Sequence, residues 1–311
     1  MKVAPTESRA AVLTGRLLMV AALAFVVRQI ALNLGSLPPV TIGLRSATVV
    51  AGGILWCAMS VGVQAAVWDI LLASGGTPLP FRRAFAVVAK ANVAKYLPGN
   101  VFQYVARFAL ARRAGVPAPV VVASTLAETA LAVTAASGVA IVGLVAHADW
   151  KLAGVLQTGA VRFLGAVVAV AFLIGCVLLW PRGREWLTTV RAHLRPWPVA
   201  ATLALFLAAL LGYGFLSAAI VEDLFLQQTS LGGAAFAGGW ALAWLAGFLV
   251  PGAPAGVGVR ELVIYQIFRA DLGEGAVLAL ALTLRLMATL GDLLGLAAGW
   301  LAGPGDVVSG E

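Results

Sequence analysis

Two stretches decide the fold: Lys95-Tyr96-Leu97-Pro98-Gly99 and Phe248-Leu249-Val250-Pro251-Gly252. Each breaks an apolar segment at a Pro-Gly step. In each, an arginine follows the proline by nine residues, Arg107 and Arg260, and a long apolar run comes next. Proline withdraws a backbone amide and interrupts a helix. In lipid every amide and carbonyl must be paired, so broken helix at membrane depth survives only where it is buried in protein or lines a wet cavity. Paired breaks at corresponding places in two halves of a chain are a transporter's pattern.

Working outward, the composition excludes a soluble domain: 61% apolar residues, 11% charged and a mean hydropathy of +0.98 describe a polytopic membrane protein. Runs of about 20 apolar residues cross a hydrocarbon core of about 30 Å. Six fit: Leu13 to Leu34, Thr48 to Leu72, Pro117 to Ala146, Thr158 to Trp180, Val199 to Val221 and Gly275 to Leu301. The first resembles a signal peptide in its basic flank, but its apolar character resumes after Arg28-Gln29, so it reads as a retained helix.

Residues 81–113 and 231–270 do not read as simple crossings. The first carries Arg82, Arg83, Lys90, Lys95, Arg107, Arg112 and Arg113, too many charges for a lipid-facing helix. Both read as re-entrant hairpins. The expected fold is therefore all-α, one membrane domain over residues 1–311 with six transmembrane helices and two broken-helix hairpins. The first repeat is 13–146 and the second, inverted, is 158–302.

The Lys and Arg bias places the N-terminus, the basic first hairpin and the C-terminus in the cytoplasm of a cell with this chain in its inner membrane. On that reading the two Pro-Gly tips enter from opposite sides and meet near the midplane. The pI of about 10.2 follows from the same bias and from attraction to anionic head groups. It calls for no nucleic acid.

Charges inside apolar runs need partners or a role, since each costs about 2.5 to 3.5 kcal/mol at the centre of a spanning helix. Glu128 lies about 18 Å into the third crossing at the usual helical rise. Arg285 lies at similar depth in the sixth, and Asp292, two turns on, shares its face. Glu128 and Arg285 occupy equivalent helices, which suggests an ion pair across the pseudo-symmetry axis. These three residues form either an interior network that holds helices together or part of a substrate or proton path.

Arg107 and Arg260 present guanidinium forks suited to phosphate oxygens, beside helix starts whose free amides attract anions. The alternative is a capping or interfacial ion pair, for Arg260 with a nearby acid such as Glu261. Lys95 and Tyr96 join the cluster by proximity. Pro98, Gly99, Pro251, Gly252, Gly256 and Gly258 form the hinge elements. Lys90 and the pairs Arg82-Arg83 and Arg112-Arg113 read as snorkelling residues.

The run Lys90-Ala91-Asn92-Val93-Ala94-Lys95-Tyr96-Leu97-Pro98-Gly99-Asn100-Val101-Phe102-Gln103-Tyr104 resembles a motif of the lysylphosphatidylglycerol synthetase/flippase transmembrane-region family. The later run Pro251-Gly252-Ala253-Pro254-Ala255-Gly256-Val257-Gly258-Val259-Arg260-Glu261 resembles its second motif, with Ala253-Pro254-Ala255 in place of a Gly-rich turn. The resemblance covers essentially the whole chain. It implies translocation of a lipid: aminoacylated phosphatidylglycerol, or a polyprenyl-phosphate-linked sugar or related glycolipid precursor. It also implies, as a partner, a cytoplasmic glycosyltransferase or lipid synthase. No aminoacyl-transferase domain follows the sixth crossing, so lysyl transfer is not expected. Substrate contact is expected from Lys95, Tyr96, Arg107, Glu128, Arg260, Glu261, Arg285 and Asp292.

The rival classes are a polyprenyl-phosphate-dependent membrane glycosyltransferase and a non-transporting scaffold. The loop from Asn33 to Ala47 holds no acid to serve such an enzyme, and Glu222-Asp223 reads as solvated charge. The sequence carries no His-Glu-x-x-His, Gly-x-Ser-x-Gly or Walker pattern. We expect no enzyme activity, cofactor or metal, and the sequence assigns no oligomeric state. His147 and His193 fall in loops on opposite sides, and Cys57 and Cys176 read as small buried hydrophobes. Trp56, Trp68, Trp150, Trp180, Trp186, Trp197 and Trp300 read as interfacial anchors. Trp240 and Trp244, one turn apart, read as core packing.

Overall fold

The computed structural model describes residues 38, 43–97, 101–146, 195–250 and 253–303, with the side chains of 144–146 excepted. The chain is helical throughout the described residues, without a strand among them. In order these are α1 (Leu44–Ser74), α2 (Phe81–Asn92), a 3-10 turn (Val93–Tyr96), α3 (Phe102–Arg113) and α4 (Ala118–Ala146). There follow α5 (Pro196–Ala219), extended by a π turn (Ile220–Leu224), then α6 (Gly233–Leu249), a second 3-10 turn (Pro254–Gly256), α7 (Val259–Leu272) and α8 (Glu274–Leu301).

Four of these are long and apolar enough to cross a membrane: α1, α4 over Ala118–Gly143, α5 with its π turn, and α8. They coincide with four of the six expected crossings. The other two, Leu13 to Leu34 and Thr158 to Trp180, lie outside the described residues, as do Pro98, Gly99, Pro251 and Gly252. This is a helical membrane protein. Each stretch expected as a hairpin consists of two helices packed on one another, α2 on α3 and α6 on α7.

Local sequence explains the helix ends. Pro196 and Pro198 open α5, where a missing amide does no harm. Gly115 (φ +87°), Gly258 (φ +80°) and Gly273 (φ +81°) adopt the left-handed region ahead of α4, α7 and α8, which a side chain would strain. At α8 the C-terminal carbonyls are capped by basic side chains from α2. Arg82 donates to the Leu301 carbonyl at 3.2 Å and Lys90 to that of Gly303 at 3.2 Å. Lys90 also sits 4.7 Å from the Trp300 ring centre. Cations at a helix C-terminus complement its dipole, so these residues serve α8 as well as the interface.

Small residues bring helices together, as van der Waals packing in lipid requires. Gly143 of α4 lies directly against Gly238 of α6, where an added Cβ would sit 2.5 Å from the Gly238 Cα. Packing centres on α6, which contacts α4, α5 and α7, while α8 packs on α1, α2 and α7. Phe236 and Phe268, with ring centres 5.1 Å apart, anchor the α6–α7 contact. The two 3-10 turns touch one another in the interior. Trp197 and Trp300 are exposed near helix ends, as anchors should be. Trp68 is not an anchor: it is fully buried, donates to the Ser124 hydroxyl at 3.1 Å and lies beneath the Arg107 guanidinium, 5.7 Å from its ring centre. An indole satisfied by a neighbouring helix has no need of the head-group layer.

Candidate functional site: a charged cavity between the two turns

Where the turns meet, the helices leave a cavity of about 210 Å³, lined from all eight described helices and both 3-10 segments. Lys95 and Arg260 supply its positive charge and Asp292 its only negative one among the described lining residues. Gln64, Asn92, Gln103 and Ser60 add neutral polar groups. One wall is aromatic: Tyr213 stacks on Trp240 with ring centres 4.5 Å apart, and Trp244 stacks on Phe248 at 5.3 Å. Trp240 and Trp244, expected in the core, do pack in the hydrophobic core, and both also border the cavity from α6.

The sequence-predicted charges form three separate arrangements. Asp292 of α8 takes contacts from the end of α2 and the first turn: Asn92 Nδ2 at 2.8 Å on one oxygen, and Lys95 Nζ at 2.7 Å and the Tyr96 hydroxyl at 2.6 Å on the other. Arg285, also on α8, donates to the Ala255 carbonyl of the second turn at 3.0 Å and lies 3.6 Å from Glu261 Oε1. Thus α8 holds both turns, through residues two helical turns apart. Arg107 of α3 pairs with Glu128 of α4, both buried. The expected pair between Glu128 and Arg285 does not form, because each finds an opposite charge on the neighbouring hairpin helix first.

Glu261 is buried, and its Oε2 accepts the Gly258 amide at 2.6 Å. This closes the start of α7 in the manner of a capping box, so that amide is not free for an anion as expected. Arg260 differs from Arg107. No carboxylate pairs with it among the described residues; its Nε is buried without a hydrogen-bond partner, as is that of Arg107. Arg285 Nη2 is likewise unpartnered. The Arg260 stem is threaded between two glycines: a Cβ on Gly247 would stand 2.6 Å from its Cγ, and one on Gly256 2.8 Å from its Nε. Gly256 (φ +71°) and the left-handed Ala255 (φ +49°) shape the turn that passes it.

The structure therefore brings Lys95, Arg260 and Asp292 to the cavity, leaves Tyr96, Glu261 and Arg285 behind its walls, and seals Arg107 and Glu128 against each other. Sequence reading missed Gln64 and Asn92. The signal was a lone amide inside an otherwise apolar or amphipathic run, the neutral equivalent of the buried charges that it did weigh. Peripheral Arg45 and Asp223 pair at 2.5 Å, joining the start of α1 to the end of α5. The fold and cavity define a class, a helical membrane protein with an interior polar chamber between two interrupted helical pairs. No protein-family model and no curated protein matches the chain.

Proposed function

We propose that this chain is a lipid flippase of the kind its motifs resemble. In this reading it moves the head of an anionic phospholipid across the cytoplasmic membrane, while the tail stays in lipid. It has six crossings in two inverted repeats, with both termini cytoplasmic. Packing supports the repeat: α1–α2 has a counterpart in α5–α6, α2–α3 in α6–α7, α3–α4 in α7–α8, and α2–α8 in α6–α4. Left-handed glycines open both α4 and α8. Rocking of one repeat against the other would expose the chamber alternately.

The observation that carries this reading is Arg260, a guanidinium with no carboxylate on it among the described residues, lining a cavity beside Lys95 at the meeting point of the two turns. Buried donors without partners are rare in folded proteins and fit a site whose ligand is an oxyanion. Between the lipids that the resemblance implies, charge favours a polyprenyl-phosphate-linked sugar or related glycolipid precursor. A lysyl ammonium would need a free carboxylate, and Asp292 is fully engaged. The Trp240 and Trp244 wall with Gln64 and Gln103 suits a neutral hydroxylated ring.

The test is leaflet-resolved transport in proteoliposomes, offering a polyprenyl-phosphate sugar and an aminoacyl-phosphatidylglycerol side by side. Movement of the glycolipid that Arg260→Gln lowers about 10- to 100-fold in a folded protein is the expected result. Movement of neither lipid, with or without an ion gradient, would refute a flippase.

A further inference from the structure

Asp292 is held as a ligand would be held. Its two oxygens take Asn92 Nδ2, Lys95 Nζ and the Tyr96 hydroxyl at 2.6 to 2.8 Å, three donors from the end of α2 and the turn after it converging on one oxyanion of the opposing helix. Asn92, Lys95, Asp292 and Arg260 all line the same cavity. Arg260 stands by with a buried, unpartnered Nε. A carboxylate and a phosphate ester each offer oxygens of the same kind to such donors.

We infer that Asp292 is a resident counter-anion, occupying in the empty protein the cavity-lining donors Lys95 and Asn92 that a phosphate ester takes over on binding. The inference rests on the cavity being the phosphate site and adds how that site is kept and released. An empty cluster of Lys95 and Arg260 without Asp292 would be two uncompensated cations in an apolar surround, which is costly. Exchange of one anion for another leaves Lys95 with an oxyanion partner throughout. It also loosens the first turn from α8, leaving there the 3.5 Å contact from the Tyr96 hydroxyl to Thr289 Oγ1, while Arg285 keeps the second turn attached through the Ala255 carbonyl. Binding and opening would then be one event, confined to one of the two turns.

The consequence has an unusual sign. A residue that merely helps to bind the ligand weakens affinity when neutralised, whereas a competitor strengthens it. Citronellyl phosphate, a short prenyl phosphate, and inorganic phosphate are the probes, titrated by calorimetry into full-length protein in detergent. Asp292→Asn should tighten citronellyl phosphate by about tenfold or more, since a charge-assisted competitor is gone, while net transport falls because the turn no longer relatches. Arg260→Gln should weaken binding about 10- to 100-fold in both backgrounds. Binding that depends on Arg260 but is unchanged or weaker in Asp292→Asn overturns the counter-anion while leaving the cavity reading intact. No binding by any variant overturns both. Tightening seen with inorganic phosphate and not with the prenyl ester would support the exchange but assign it to a soluble ligand, against a lipid. Should Asp292→Asn fail to fold, the wild-type infrared difference spectrum on binding decides: a carboxylate band shift is expected, and an unshifted spectrum refutes the exchange.

Discussion

Arg107 and Arg260 follow their Pro-Gly steps at the same distance, yet the protein uses them in opposite ways. Arg107 is sealed against Glu128 and laid over the buried Trp68. Arg260 has no carboxylate among the described residues, and its neighbour Glu261 is spent on the Gly258 amide and on Arg285. The difference lies in the following helix. α4 brings a glutamate, Glu128, to its arginine, whereas α8 brings an arginine, Arg285, to a glutamate. One arrangement closes its charge and the other leaves one cation over. Equal spacing in sequence thus yields a charge-paired arginine in one place and, in the other, one without a carboxylate partner among the described residues.

The sharpest way to break this contrast is to neutralise each arginine in turn. Arg107→Gln strands the buried Glu128 and should cost about 3 to 5 kcal/mol of stability, read as a lower midpoint in denaturant titration in mixed micelles. Arg260→Gln should leave that midpoint close to wild type and instead lower transport about 10- to 100-fold, the value of a charge-assisted contact. If the two variants behave alike, the contrast is wrong. The double exchange Arg107→Glu with Glu128→Arg sharpens it, since a purely structural pair should recover part of the lost stability and all of the transport.

Smaller effects probe the surroundings. Gly247→Ala would press a methyl on the Arg260 stem, and strain of this kind runs to about 1 to 3 kcal/mol; reduced transport with a modest loss of stability is expected. Smallest of all, Lys90→Ala removes a contact with Trp300 and a cap on α8, worth about 0.5 to 1 kcal/mol. Transport should survive it.

Much of the architecture was legible in the chain. Spans such as Thr48 to Leu72 and Gly275 to Leu301 reappear as α1 and α8 with ends displaced by a few residues, because membrane helices announce themselves through sustained apolar length. Gly256 and Gly258, chosen for a tight path, do take the left-handed conformation. The site was legible in part. Buried charge marked Glu128, Arg285 and Asp292 as meaningful, but sequence spacing paired Glu128 with the wrong cation and could not see that Asn92, Lys95 and Tyr96 all turn toward one carboxylate. Trp68 illustrates the same limit: nearness to a span end says where a residue sits along the membrane, not whether a neighbouring helix covers it.

The sequence by itself determined that this is an apolar helical protein, which residues within it carry charge, and where its helices must stop, since those follow from composition, proline and glycine along one chain. Only the tertiary structure decided which charges cancel and which one remains. Ion pairing depends on distances of a few ångströms between helices far apart in the chain, and the Coulomb energy that separates a sealed arginine from an open one varies with that distance, which no one-dimensional spacing specifies.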